Sequence, residues 1–235
     1  MIIELCGQSL HDAILAEQNG IERMELNSAL ELGGLSPYIE VLRQIKEQTN
    51  IKVIAMLRIR AGSFIYTENE LRQMEKLAER LLTNGADGLA FGALHQDLSI
   101  QVSATRRILE LCRAHEAEFV FHRAFDTQNH PQEIEKLIEL GVDRLLTSGM
   151  KKTAWEGRDN LRYLQSYYGK HIQILAGSGV NPVNIAHIAE YTGVEQLHGS
   201  FSKEILSHSH NEVHFGSYLE ADADKLQRVA QLYLK

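Results

Sequence analysis

Four times along the chain a helix-like segment stops on glycine, one apolar or small residue and one acid follow, and an apolar strand begins at once. The copies are Gly20-Ile21-Glu22, Gly85-Ala86-Asp87, Gly141-Val142-Asp143 and Gly193-Val194-Glu195. Glycine can end a helix in the left-handed conformation without a Cβ clash, so each triplet is a helix stop feeding a strand. The copies lie 65, 56 and 52 residues apart. A βα unit takes about 30 residues, so each interval holds two units and the triplets mark every second strand of an eight-unit array. With 235 residues, close to the ~250 typical of the architecture, the chain is expected to be α/β: a (β/α)₈ TIM barrel, with residues 1–235 forming a single domain.

Short apolar runs place the strands at about 2–6, 21–27, 52–58, 88–93, 118–124, 144–148, 172–177 and 195–199. Runs such as Val53-Ile54-Ala55-Met56-Leu57 are apolar on both faces, as parallel strands covered by helices must be. No Gly-rich dinucleotide fingerprint follows the first strand, which favours a closed barrel over an open doubly wound sheet. Thr67 and Glu70 form a capping box ahead of a stripe of Leu71, Met74, Leu77, Ala78 and Leu81. Pro37, Pro131 and Pro182 each fit a helix start. From about 201 to 220 the chain turns polar, and an extended loop is expected there after strand eight, ahead of a last helix near 221–234.

The net charge of −7 is broken by no run of lysine or arginine. Nucleic-acid and anionic-membrane partners therefore have little electrostatic support, and a metal ion or small anionic ligand is favoured. No apolar run reaches the ~18 residues of a membrane span, and the start, Met1-Ile2-Ile3-Glu4-Leu5, enters a strand directly, so the expected location is cytoplasmic. Only two cysteines are present, Cys6 and Cys112, too few for a disulfide framework.

In such barrels the C-terminal strand ends and the loops after them form the functional face. Glu4 and Cys6 fall on strand one, Glu25 and Asn27 on strand two, Arg58 and Arg60 at strand three, and His122, Arg123 and Asp126 at strand five; Thr147 and Ser148 end strand six, and His198 and Ser200 strand eight. Two readings stay open. The charged groups form either a satisfied ionic layer or a catalytic set, with His122 as general acid or base, Glu4 or Glu25 its carboxylate partner, Arg58 and Arg123 stabilising charge, and Asp126 nearby. Gly177-Ser178-Gly179 and Gly199-Ser200 close strands seven and eight, where backbone N–H groups commonly grip phosphate; they are either an anion cradle, helped by Arg58 and Arg60, or plain turns.

Cys6 is the one cysteine expected on that rim. It is either a ligand for a soft metal such as Cu(I) or a small buried hydrophobe. His208, His210 and His214 offer a second, weaker metal motif in the polar segment. Cys112 sits at helical spacing and reads as packing.

The runs Phe121-His122-Arg123-Ala124-Phe125-Asp126, Phe91-Gly92-Ala93-Leu94, Leu146-Thr147-Ser148-Gly149, Gly33-Gly34-Leu35-Ser36-Pro37 and Glu4-Leu5-Cys6 give the chain a specific likeness. It resembles the CutC family, named for copper homeostasis, up to about Ser200. The resemblance implies a cytosolic barrel that forms a homodimer, assigned to copper handling, with cysteines at the ends of the first two strands as metal ligands. The first is Cys6; the second position is Asn27 here, so a two-thiolate site cannot form at that pair. Ile59, Ala61 and Ser63 depart from the proline, glycine and aspartate usual in the family, and Ser178 stands in what is often a run of three glycines. The competing expectation is an enzyme acting by acid/base chemistry on a small phosphorylated or carboxylated metabolite.

Overall fold

A computed structural model describes residues 1–128, 130–206 and 216–233. Eight parallel strands close into a barrel in sequence order: β1 Ile2–Gly7, β2 Arg23–Leu26, β3 Lys52–Met56, β4 Gly88–Phe91, β5 Glu118–Phe121, β6 Arg144–Thr147, β7 Gln173–Ala176 and β8 Gln196–Gly199. The helices are α1 Leu10–Gln18, α2 Ile39–Gln48, α3 Glu68–Thr83, α4 Val102–Ala114, α5 Ile134–Leu140, α6 Arg158–Tyr168, α7 Ile185–Thr192 and α8 Ala223–Tyr233. No described helix is long and apolar enough to cross a membrane.

The glycine triplets do what their spacing predicts. Gly20, Gly85, Gly141 and Gly193 have φ of 75°, 97°, 78° and 72°, and they end α1, α3, α5 and α7 just ahead of β2, β4, β6 and β8. In two of the four triplets the acid, Asp87 or Asp143, has a role that spacing does not reveal. Asp87 accepts the Val53 N–H at 2.7 Å and the Lys46 ammonium at 2.6 Å; Asp143 likewise takes the Phe119 N–H at 2.7 Å and pairs with Arg113. Each acid ties the entry of one strand to the strand before it, satisfying a donor that the ladder leaves over at the barrel base.

Inside the barrel the two halves differ. Ile54, Met56, Ala90, Val120, Leu146 and Leu175, from β3 to β7, form a buried apolar cluster of their own. The β8–β1–β2 side is ionic, and a polar chain closes the base. Lys52 Nζ meets Glu118 at 2.5 Å, Arg144 bridges Glu118 and Gln173 at 2.8 and 3.1 Å, Gln196 donates to Gln173 at 2.7 Å, and Arg23 reaches Gln196 at 2.7 Å. Small residues make the lumen possible: a Cβ at Gly88 would meet Ile54 Cδ1 at 2.7 Å, and one at Gly177 would meet Leu146 Cδ1 at the same distance.

The expected loop at 201–220 is corrected. Ser202–Leu206 (β9) and Ser217–Ala221 (β10) pair antiparallel, and Asp12, which also caps α1, accepts the Ala221 N–H at 2.8 Å. This pairing is between distant, largely exposed and polar segments, so no local apolar alternation announces it. His208, His210 and His214 lie outside the described residues. The helix stops are testable at Gly141, where an added Cβ would meet nothing within 4 Å. Any loss in Gly141→Ala must therefore come from the left-handed backbone, and about 1–2 kcal/mol is expected by urea denaturation; an unchanged stability would contradict the assignment.

Candidate functional site

Register brings the site together. β1 lies between β2 and β8, with Glu4 opposite Arg23 on one side and His198 on the other, and Cys6 opposite Glu25. Partners in register point to the same face, so five inward side chains of three neighbouring strands converge. Glu4 Oε2 accepts from Arg23 Nε at 2.5 Å, and Glu4 Oε1 lies 2.8 Å from His198 Nδ1. All three are buried. Burial opposes the charge of Glu4, but the His198 hydrogen bond and the Arg23 guanidinium outweigh it and hold the pKa at about 2. An ionised carboxylate only accepts, so His198 carries a proton on Nδ1 and turns Nε2 the other way.

That second nitrogen faces Glu25, 3.9 Å away. Cys6 Sγ approaches the same Glu25 oxygen at 3.8 Å, and Asn27 donates to Glu25 at 2.9 Å and to Cys6 Sγ at 3.5 Å. Ligand atoms of Cys6, Glu25 and His198 all lie within 4.8 Å of one another. Burial raises the Cys6 thiol above its usual 9.0 and the Glu25 carboxyl above 4.5. Burial also works against the charge on His198, yet the Glu25 carboxylate, the Cys6 sulfur and the bond to Glu4 lift it well above 6.5.

The cluster sits at one side of a cavity of about 670 Å³ in the barrel mouth. His122 lines another part of it, and the ring fits because residue 92 is glycine: a Cβ there would meet His122 Nδ1 at 2.7 Å. The Ala124 N–H donates to Nδ1 at 3.2 Å, leaving the proton on Nε2. Burial first, then the Arg58 and Arg123 charges, push His122 down to about 3, so it is neutral. The expected pairing of His122 with Glu4 or Glu25 is corrected: those carboxylates serve His198, and the charged neighbours of His122 are arginines.

Other expected residues are committed elsewhere. Asp126 accepts from Thr147, the Ser148 and Met150 N–H groups, the Ser148 hydroxyl and Arg123, tying the ends of β5 and β6 together. Arg58 gives Nη1 to the carbonyls of Leu32, Gly33 and Gly34 and Nη2 to that of Gly62, so it clamps the loops after β2 and β3. Arg60 is corrected as an anion ligand: it does not line the cavity, and its guanidinium is held by Glu70 and the Ser63 and Ile65 carbonyls. Gly177 faces the lumen below the mouth, whereas Ser178, Gly179, Gly199 and Ser200 line the cavity. Lys151 also lines it; it is one of two adjacent lysines, Lys151 and Lys152, after strand six, and nothing local singles it out.

The model of the CutC family matches residues 1–203. The chain belongs to the CutC family. A CutC family protein of Treponema denticola is 37% identical over 96% of this chain and 92% of its own. The human copper homeostasis protein cutC homolog is 35% identical over 85% of this chain and 72% of its own. The solved CutC structure from Streptococcus agalactiae superposes with a TM-score of 0.79 at 30% identity, covering 85% of this chain and 98% of that one. A 3-hexulose-6-phosphate synthase, at 15% identity and a TM-score of 0.62 over 98% of this chain and 99% of its own, shares the fold alone.

Glu4 is the group to perturb. Its pKa is lowered from the usual 4.5 to about 2, so its stabilisation is present above pH 4.5 and is lost as pH falls toward 2. Glu4→Gln leaves Arg23 a buried charge with half its partners, and a loss on the order of 3–5 kcal/mol is expected at pH 7. Denaturation followed from pH 7 to pH 2 should show the variant's deficit shrinking through that acid range; a deficit independent of pH contradicts the ion pair.

Proposed function

We propose that this chain acts in copper homeostasis and binds one Cu(I) ion at the barrel mouth through the Cys6 thiolate and the His198 imidazole, with Glu25 alongside. The supporting observation is the convergence of the three donors within 4.8 Å, backed by Glu4 on the far nitrogen of His198 at 2.8 Å. Thiolate is the soft ligand that selects Cu(I), and imidazole suits copper in either oxidation state. A carboxylate behind a ligating histidine fixes its tautomer and orientation, the usual support of metal-bound imidazole. The names of the human and bacterial relatives point the same way.

Asn27 modifies the reading. Its amide nitrogen is 3.5 Å from Cys6 Sγ, so the two positions adjoin and a second thiol would sit beside the first. Here the amide leaves one sulfur, making the donor set mixed. A mixed set holds Cu(I) less tightly than a thiolate pair.

The pKa directions give the pH dependence. Both Cys6 and His198 hold protons more firmly than usual, and the metal must displace them, so uptake releases protons and strengthens as pH rises from about 6 to 8. Titration against a chromogenic Cu(I) chelator tests the proposal. One equivalent is expected to bind, Cys6→Ala to abolish binding, and Asn27→Cys to raise affinity; equal uptake by wild type and Cys6→Ala would end the proposal.

A further inference from the structure

The mouth contains two buried donors that no described residue satisfies. His122 Nε2 and Arg58 Nε have no hydrogen-bond partner among the described residues, although both side chains are buried and line the cavity. Both pack against the same ring: the His122 ring lies 4.9 Å from the Phe64 ring, and the Arg58 guanidinium carbon lies over that ring at 4.9 Å. Buried donors are almost always paired, so each orphan marks where an acceptor belongs. Because Nδ1 of His122 accepts from Ala124, Nε2 can only donate. The complement to these donors is oxygen.

A second set of donors lies elsewhere on the same cavity. No other described residue accepts from the N–H groups of Ser178, Gly179 and Ser200, and all three residues line the mouth. Lys151 lines it too, with an exposed side chain. Backbone N–H groups joined by an ammonium suit a charged oxyanion. A volume near 670 Å³ is that of a small-molecule site, larger than an ion needs.

We propose that the mouth binds a small organic oxyanion at two ends, its charged group on the Ser178, Gly179 and Ser200 amides with Lys151, and a second oxygen on His122 Nε2 and Arg58 Nε. None of these donors is a copper ligand in the reading above, so the site stands whether or not Cu(I) binds at Cys6.

Calorimetric titration of the metal-stripped chain with phosphoglycolate, inorganic phosphate and glycolate tests it. Phosphoglycolate, bearing an anionic group at each end, should bind about tenfold or more tighter than either fragment. Lys151→Ala should weaken phosphoglycolate and phosphate alike. His122→Phe should weaken phosphoglycolate about tenfold, the worth of one buried hydrogen bond, and leave phosphate unchanged. Should that variant fail to fold, the ¹⁵N resonance of His122 Nε2 in the wild type should move with phosphoglycolate and not with phosphate. The absence of binding at millimolar ligand, equal affinity for phosphate and phosphoglycolate, or indifference to both substitutions would overturn the proposal. Stripping the metal keeps a failure of copper uptake from entering the result.

Discussion

The structure depends on one buried carboxylate. Glu4 sits at the seam where β1 joins both β2 and β8, and its two oxygens hold Arg23 and His198. Removing charged groups from water is costly, and only close pairing with further hydrogen bonds offsets it. Here the offset runs in both directions along the lumen: Arg23 leads through Gln196, Gln173 and Arg144 to the base, and His198 leads to Glu25 and Cys6 at the mouth. A residue whose immediate role is to close the barrel therefore also orients the imidazole beside the thiol.

The split lumen explains why the site lies where it does. β3 to β7 line the middle of their side with aliphatic groups, so charge on those strands is held at the base, where Lys52, Glu118 and Arg144 pair. The ionic ladder that runs from base to mouth lies on the β8–β1–β2 side, while Phe64, His122 and Arg58 line another part of the mouth. One cavity thus has a side of thiol, imidazole and carboxylate and a side of hydrogen-bond donors, two surfaces with different chemical demands.

How much of this was legible in the sequence follows from the range of each interaction. The helix stops were readable because left-handed glycine is a local demand, and the strands because double-faced apolar runs need no partner to be recognised. Cys6, Glu25 and His122 could be placed on the mouth by alternation alone. Which carboxylate serves which histidine could not, because it depends on register between strands far apart in sequence, as Glu4 and His198 show. Arg58 was equally opaque: its acceptors are main-chain carbonyls, and main chain leaves no mark on residue identity. The β9–β10 pairing was missed because both strands are largely exposed and polar, so neither carries the apolar alternation that marks a strand.

In the proposed copper site the carboxylate that closes the barrel, Glu4, also sets one sulfur and one imidazole on the same ion. X-ray absorption at the copper edge of the Cu(I)-loaded chain reads that donor set directly. One sulfur scatterer together with the multiple-scattering signature of imidazole is expected. Two sulfurs, or a shell of light atoms without sulfur, would rule the site out.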